Sequence, residues 1–98
     1  MREQDIKKMI RQEILTFAPR LKNHHVILFG SRVSGQAREK SDFDVGVYGP
    51  EPLALPLFFA IEEALENLPT LYKIDWVDLN RVAPSFRQEA LKNQEVLL

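Results

Sequence analysis

The sequence predicts an α+β fold in which a small mixed β-sheet carries helices packed mainly on one of its faces. Three short stretches have the composition of strands, and they lie at residues 26–29, 42–48 and 72–79. Three longer stretches place apolar residues at helical spacing, at residues 4–17, 55–67 and 84–93. The sheet has these three strands, with or without one more at an edge. Because the chain has 98 residues and no visible break, we expect a single domain over residues 1–98.

Each predicted helix has one apolar side. In the first, apolar residues recur at helical spacing, and Pro19 lies just beyond its end. Those residues are Ile6, Met9, Ile10, Ile14 and Phe17. The second helix accepts Pro56 in its first turn, and the third begins at Pro84. The apolar end of the chain, Val96–Leu98, either packs back on the core or is covered by a partner.

The first predicted strand ends in a sharp turn. Val26–Phe29 is an unbroken apolar run that suits a buried strand, and Gly30 and Ser31 follow it. Glycine allows backbone angles that other residues avoid, and it lets a ligand come close to the main chain. A short helical turn over Ser31–Ser34 would present free N–H groups and a hydroxyl, which together suit a phosphate group.

Two aspartates open the second predicted strand. Side chains two residues apart on a strand point the same way, so Asp42 and Asp44 share one face. Phe43, Val45 and Val47 then point to the opposite face, toward the core. Two carboxylates beside a phosphate-binding turn are hard oxygen ligands of the kind that Mg²⁺ prefers.

A third aspartate, Asp75, lies in the middle of the third predicted strand. Alternation places it on the face opposite to Asp78, so these two acids cannot serve one site. If Asp75 joins Asp42 and Asp44, each pair at about 4 Å repels by about 4 kcal/mol at an effective dielectric constant near 20. Three such pairs approach ~10 kcal/mol, which rivals the whole stability of a small domain. The acids therefore either converge around cations or point separately into solvent.

Composition limits the classes of function. The net charge is −1, whereas a free-standing nucleic-acid-binding protein usually has a basic excess, so we expect no nucleic-acid binding by the isolated chain. The chain has no cysteine, which excludes disulfides and thiolate metal sites. No apolar run reaches the length of a membrane span, and the polar N-terminus does not resemble a signal peptide. We therefore expect a cytoplasmic protein.

The turn and the aspartates together resemble the signature of the nucleotidyltransferase superfamily related to DNA polymerase β. The stretches that carry the resemblance are Leu28–Gly35, Ser41–Val45 and Ile74–Trp76. Within this superfamily the chain is most similar to the minimal nucleotidyltransferase (MNT) domains, and the likeness spans residues 26–79. Val33 and Ser34 stand where these domains usually have Ala-Arg, which removes one positive charge near the expected phosphate site.

The resemblance implies a nucleotidyltransferase fold and a metal-dependent transfer of AMP from ATP to an acceptor hydroxyl. Two Mg²⁺ ions would be held by the catalytic residues Asp42, Asp44 and Asp75. The nucleotide would be bound by Gly30, Ser31, Arg32 and Ser41. In similar systems the partner is a HEPN-domain toxin, and the MNT protein is its antitoxin.

Three activities remain open on this basis. The first is adenylylation of a hydroxyl on a HEPN partner, and the second is neutralisation of that partner by binding alone. The third is nucleotidyl transfer to RNA, against which the lack of basic excess counts. Assembly into homo- or hetero-oligomers is compatible with all three.

Overall fold

The computed structural model describes residues 2–35 and 41–98. Within them the elements are α1 Glu3–Leu15, a 3₁₀ turn Ala18–Arg20, β1 His25–Phe29, α2 Ser31–Ser34, β2 Phe43–Tyr48, α3 Leu55–Glu66, β3 Ile74–Asp78, α4 Pro84–Lys92 and β4 Glu95–Val96. The predicted helices and strands are all present, with ends that differ by a few residues. The third strand begins at Ile74 rather than Tyr72, because the Tyr72 N–H closes a turn by donating to Thr70 Oγ1 at 3.1 Å. No helix in the described residues is long and apolar enough to cross a membrane.

The sheet is mixed and has the strand order β3-β2-β1-β4. β2 and β3 are parallel, whereas β1 pairs antiparallel with both β2 and β4. The additional edge strand is β4, in which Val96 pairs with Ile27 of β1. The Leu97 N–H donates to the Val26 carbonyl at 2.8 Å, and the Leu97 side chain is buried. The apolar end of the chain therefore packs back on the core, although Val96 itself stays largely exposed.

The main core lies between one face of the sheet and the helices α1 and α3. Phe43, Val45 and Val47 of β2 are fully buried in it, as the alternation of the strand predicts. The helices contribute the apolar residues Ile6, Ile10, Ile14, Leu57, Ile61 and Leu65. This arrangement confirms helices packed mainly on one face, and it leaves the side chain of Asp44 on the other face.

A smaller core covers part of that second face. Ile27 and Phe29 point away from the main core, and α4 buries them with Leu79 and Ala90. The unbroken apolar run of β1 explains this cover, because a strand that is apolar on both sides must be buried on both. The aspartates thus share their face of the sheet with α4.

Asp78 lies near the end of β3 and is buried, with 5% of the residue exposed. It accepts hydrogen bonds from the N–H groups of Leu53 and Asn80, each at 2.9 Å. The Arg81 side chain lies 3.6 Å from the same carboxylate and donates to the Leu53 carbonyl. Asp78 therefore fixes the chain that leads into α3 and takes no part in the site on the other face.

Candidate active site

Asp44 of β2 and Asp75 of β3 lie side by side on the face of the sheet that α4 partly covers. The two strands are parallel, and their register pairs Asp44 directly with Asp75. Asp42 lies one residue before β2, and its charge acts on Asp44. Asp42, Asp44 and Asp75 are each half-buried. Two of the three predicted acids are thus adjacent, and the third lies within electrostatic range.

The electrostatics of Asp44 reflect this crowding. Its pKa rises from 3.8 to about 6, first because burial disfavours the charged carboxylate and then because the charges of Asp75 and Asp42 repel it. The protonated Asp44 carboxyl also donates a hydrogen bond to Asp75, which raises the pKa further, while nearby Lys73 lowers it. Near neutral pH this corner of the sheet therefore holds more negative charge than its surroundings stabilise.

The carboxylates of Asp42, Asp44 and Asp75 are ligands of the type found in magnesium sites. Among the described residues no three carboxylate or imidazole side chains form a chelating group as they stand. Asp75 instead pairs with Lys73, whose Nζ lies 3.4 Å from Oδ1. Carboxylate oxygens are nevertheless the ligands that Mg²⁺ prefers, and the raised pKa of Asp44 marks negative charge that a cation would relieve.

Gly30 brings the turn against these acids. Its φ of 78° and ψ of −153° lie in a region that is essentially confined to glycine. A Cβ atom at position 30 would collide with Asp44 Oδ2, so only glycine lets the turn and the carboxylate lie this close. Ser31 then begins α2 and is half-buried. The predicted phosphate-binding turn is therefore adjacent to the predicted metal ligands.

Arg32, which we expected to bind nucleotide, lies buried within the protein with 6% of its side chain exposed. Its Nη1 is 3.2 Å from Glu3 Oε1, and its Nη2 donates to the Ser41 carbonyl at 2.6 Å. The guanidinium carbon lies 4.4 Å from the centre of the Phe43 ring and 5.1 Å from that of Tyr72. Arg32 thus connects α1 to the residue that precedes Asp42. Local sequence could not indicate this, because Glu3 lies 29 residues upstream.

A cavity beside the acids was not predicted from the sequence. It has a volume of about 310 Å³ and lies between the Gly30 turn and α4. Its walls are formed by Phe29, Gly30, Asp44, Phe86, Glu89 and Ala90. The signal in the sequence was the aromatic Phe86 one helical turn before Ala90, which helical spacing places on the same side of α4.

Comparison with known families identifies the family of the chain. The family model described as polymerase beta, nucleotidyltransferase, matches residues 5–98. The chain belongs to this nucleotidyltransferase family. The match extends well beyond the motif stretches and includes α4 and β4.

Two relatives of this nucleotidyltransferase chain have names that describe an activity. A Haemophilus influenzae protein named as a probable protein adenylyltransferase, MntA, is 30% identical over 66 residues, which are 67% of this chain and 58% of that protein. A Methanocaldococcus jannaschii protein that is also named as a protein adenylyltransferase is 30% identical over 78 residues, which are 80% of this chain and 90% of that protein. The chain therefore spans somewhat more than half the length of the first relative.

Two solved structures with a similar fold are toxin–antitoxin complexes. One was crystallised with AMP-PNP; it has a TM-score of 0.65 and 20% identity, and the match covers 90% of this chain and 72% of that chain. Another is a tri-AMPylated HEPN toxin with its MNT antitoxin from Shewanella oneidensis, with a TM-score of 0.63, 17% identity, and coverage of 94% of this chain and 71% of that chain. These likenesses confirm the predicted nucleotidyltransferase fold.

Proposed function

We propose that this nucleotidyltransferase domain transfers AMP from ATP, with the help of Mg²⁺, to a hydroxyl group on a partner protein. The observation that carries the proposal is the pairing of Asp44 with Asp75 directly beside the Gly30 turn. A metal-binding pair of carboxylates and a turn open to phosphate are the two parts that nucleotidyl transfer requires at one place. Burial and the charges of Asp75 and Asp42 raise the pKa of Asp44, and perturbed carboxylates of this kind are typical of functional sites.

Each group of site residues would have its own role in the transfer. Asp42, Asp44 and Asp75 would hold two Mg²⁺ ions, which when bound would neutralise charge on the phosphates and activate the acceptor hydroxyl. Gly30 and Ser31 would bind the triphosphate through main-chain N–H groups and the serine hydroxyl. Binding in this way holds the donor still while charge develops on the reacting phosphate.

Arg32 and Ser41 take a positioning role in this proposal. The hydrogen bond from Arg32 Nη2 to the Ser41 carbonyl holds the main chain immediately before Asp42. Because most of the guanidinium is buried, Arg32 affects nucleotide binding through the placement of Asp42 rather than by contact with phosphate.

The exposed position of Asp75 favours a macromolecule as the acceptor of the AMP group. β3 lies at one edge of the described sheet, and the Asp75 side chain on it is 36% exposed. A hydroxyl carried by another protein can approach this rim without entering a deep pocket. The relatives named as protein adenylyltransferases, and the related complex that holds an AMPylated HEPN toxin, support a HEPN-domain protein as the partner.

Intact-protein mass spectrometry tests the proposal. The chain is incubated with ATP, Mg²⁺ and a HEPN-domain protein from the same organism, and we expect the partner to gain the mass of one or more AMP groups. Asp44→Asn and Asp75→Asn should each abolish the gain. Glu63→Gln, which removes an exposed acid of α3 far from the site, should leave it intact. A partner that stays unmodified with the wild-type chain contradicts the proposal.

A second candidate function is neutralisation of the partner by binding alone. It is favoured by the pairing of Asp75 with Lys73 and by the lack of a ready chelating group among the described residues. Under this alternative the wild-type chain and Asp44→Asn would suppress the activity of the partner equally well. Under the first proposal, a partner treated with the wild-type chain would stay inactive after the two proteins are separated. A partner treated with Asp44→Asn would regain its activity.

A further inference from the structure

The cavity between the Gly30 turn and α4 has no role in the transfer described above. We propose that it receives the adenine ring of the donor nucleotide, with Phe86 as the surface on which the ring stacks. This inference rests on the proposed function and adds to it the part of the site that binds the base. It assigns Phe86 and Glu89 of α4 to nucleotide recognition.

Phe86 is placed as a stacking surface. The residue is 48% exposed although it is large and aromatic, and it borders the cavity. Its ring meets that of Phe29 edge-on, with centroids 6.1 Å apart and an angle of 88° between the planes. Phe29 is buried and forms the floor, while the small side chain of Ala90 leaves room one helical turn along. A planar ring that entered here would cover exposed aromatic surface.

The strand order assigns the cavity to the donor rather than to the acceptor. In the order β3-β2-β1, Asp44 lies between Asp75 on one side and Phe29 on the other. The acceptor hydroxyl is proposed to approach at the exposed rim beside Asp75. The cavity borders Asp44 from the opposite side, next to Gly30, and this is the side on which the nucleotide is proposed to bind.

The chemistry of the walls selects the base over the phosphates. Two carboxylates, Asp44 and Glu89, line the cavity with the rings of Phe29 and Phe86. An uncharged planar ring would be accepted between the two aromatic rings, while the carboxylate of Glu89 disfavours a phosphate group in this part of the cavity. The volume of about 310 Å³ is at the lower end of the range for ligand sites, which suits a single ring system that reaches in from the turn.

Glu89 favours a base that offers a hydrogen-bond donor. An ionised carboxylate only accepts hydrogen bonds, so it suits the exocyclic amino group of adenine and repels the carbonyl oxygen that guanine has at the same position. Glu89 lies at the exposed rim, where Lys92 Nζ is 3.3 Å from its Oε2. Because solvent screens such a position, we expect only a roughly threefold preference for ATP over GTP from this contact.

Calorimetric titration of the full chain tests the assignment. MgATP, MgGTP and magnesium tripolyphosphate are titrated into wild type, Phe86→Leu, Phe86→Trp and Asp44→Asn. Phe86→Leu keeps an apolar side chain that favours helix, so the fold is retained while the stacking surface is lost. Phe59→Leu is the matched control, because Phe59 is 54% exposed on α3, on the other side of the sheet.

We expect Phe86→Leu to weaken ATP binding by roughly tenfold and to leave tripolyphosphate binding unchanged. Phe86→Trp should bind ATP at least as tightly as wild type, and Phe59→Leu should match wild type with both ligands. If Phe86→Leu binds ATP like wild type, the assignment is overturned. It is equally overturned if that variant binds ATP normally but transfers AMP to the partner more slowly, since the cavity would then hold an acceptor side chain.

The variant Asp44→Asn separates this inference from the proposed function. Loss of both ATP and tripolyphosphate binding in Asp44→Asn, with normal ATP binding in Phe86→Leu, would contradict the base site alone. Undiminished binding of both ligands by Asp44→Asn would contradict the proposed function itself, together with the inference that rests on it.

Discussion

Asp44 and Asp75 occupy opposed positions on adjacent parallel strands, and Asp75 is one of the two carboxylates whose charge raises the pKa of Asp44. In the metal-free protein this arrangement lowers the free energy of unfolding at neutral pH. Burial and the charges of Asp75 and Asp42 both disfavour the ionised form of Asp44. A site that is unfavourable for the empty protein and favourable with a cation is typical of functional carboxylates. The stability of the metal-free chain should therefore depend on Asp44 in a defined range of pH.

We predict that Asp44→Asn stabilises the metal-free chain at neutral pH. The pKa of Asp44 is about 6 in the folded chain and near 3.8 when unfolded, so between these values the folded state holds a proton that the unfolded state lacks. The free energy of unfolding contributed by Asp44 therefore falls as pH rises through this window. Solvent screening limits the gain in the variant to about 1 kcal/mol at pH 7.5, with none below pH ~4.

Urea unfolding in EDTA at several pH values measures this difference. Glu63→Gln serves as a control for the loss of a charge at an exposed position. An unfolding free energy of Asp44→Asn that differs from wild type by the same amount at every pH would show that Asp44 titrates normally in the folded chain.

The two glycines that flank α2 allow a matched test of the turn. Gly30 and Gly35 both have positive φ, at 78° and 83°. A Cβ at position 30 would collide with Asp44, whereas among the described residues nothing lies within 4 Å of a Cβ at position 35. We predict that Gly35→Ala costs about 1 kcal/mol of stability, the ordinary strain of a left-handed residue. Gly30→Ala should cost about 3 kcal/mol and also abolish binding of MgATP.

Thermal unfolding and nucleotide titration of the two alanine variants check this pair. If Gly30→Ala retains wild-type affinity for MgATP, the close approach of the turn to Asp44 is not needed for binding. Equal loss of affinity in both variants would point instead to a general sensitivity of α2.

Arg32 should prove to be a residue that positions the site. Its guanidinium joins Glu3, the Ser41 carbonyl and the Phe43 ring, and a lysine cannot make the same set of contacts. We predict that Arg32→Ala and Arg32→Lys both lower the unfolding free energy, by about 3 and about 2 kcal/mol. Arg20→Ala, which removes an exposed arginine, should change it little.

Comparison of stability with nucleotide affinity distinguishes the two roles that Arg32 could have. For a positioning residue, Arg32→Lys loses stability in the absence of nucleotide. For a phosphate ligand, it would keep wild-type stability and lose only affinity for ATP. The second pattern, measured by denaturant unfolding and calorimetry, would contradict our assignment.

Alternation along the strands made much of the site predictable from the sequence. The buried Phe43, Val45 and Val47 require that Asp44 lie on the other face, and the helical spacing in α1 and α3 predicts which side of each helix packs against the sheet. The alignment of Asp44 with Asp75 was less accessible, because β2 and β3 are separated by a helix and their register depends on how α3 packs.

Contacts between distant parts of the chain explain what sequence reasoning missed. The resemblance implied a nucleotide contact for Arg32, and the sequence did not show that Glu3 and Tyr72 approach it in the folded chain. In the same way, the helical pattern of α4 showed an apolar side without showing which face of the sheet it covers. That choice follows from Ile27 and Phe29, whose side chains leave a second apolar surface to be buried.

The most direct test of the account is calorimetric titration of ATP, with and without Mg²⁺, into wild type and the double variant Asp42→Asn/Asp44→Asn. We predict that wild type binds ATP only with Mg²⁺ and that the double variant binds at least tenfold more weakly, because it lacks two of the three proposed metal ligands. Equal binding by the two proteins would show that these acids do not form the nucleotide site.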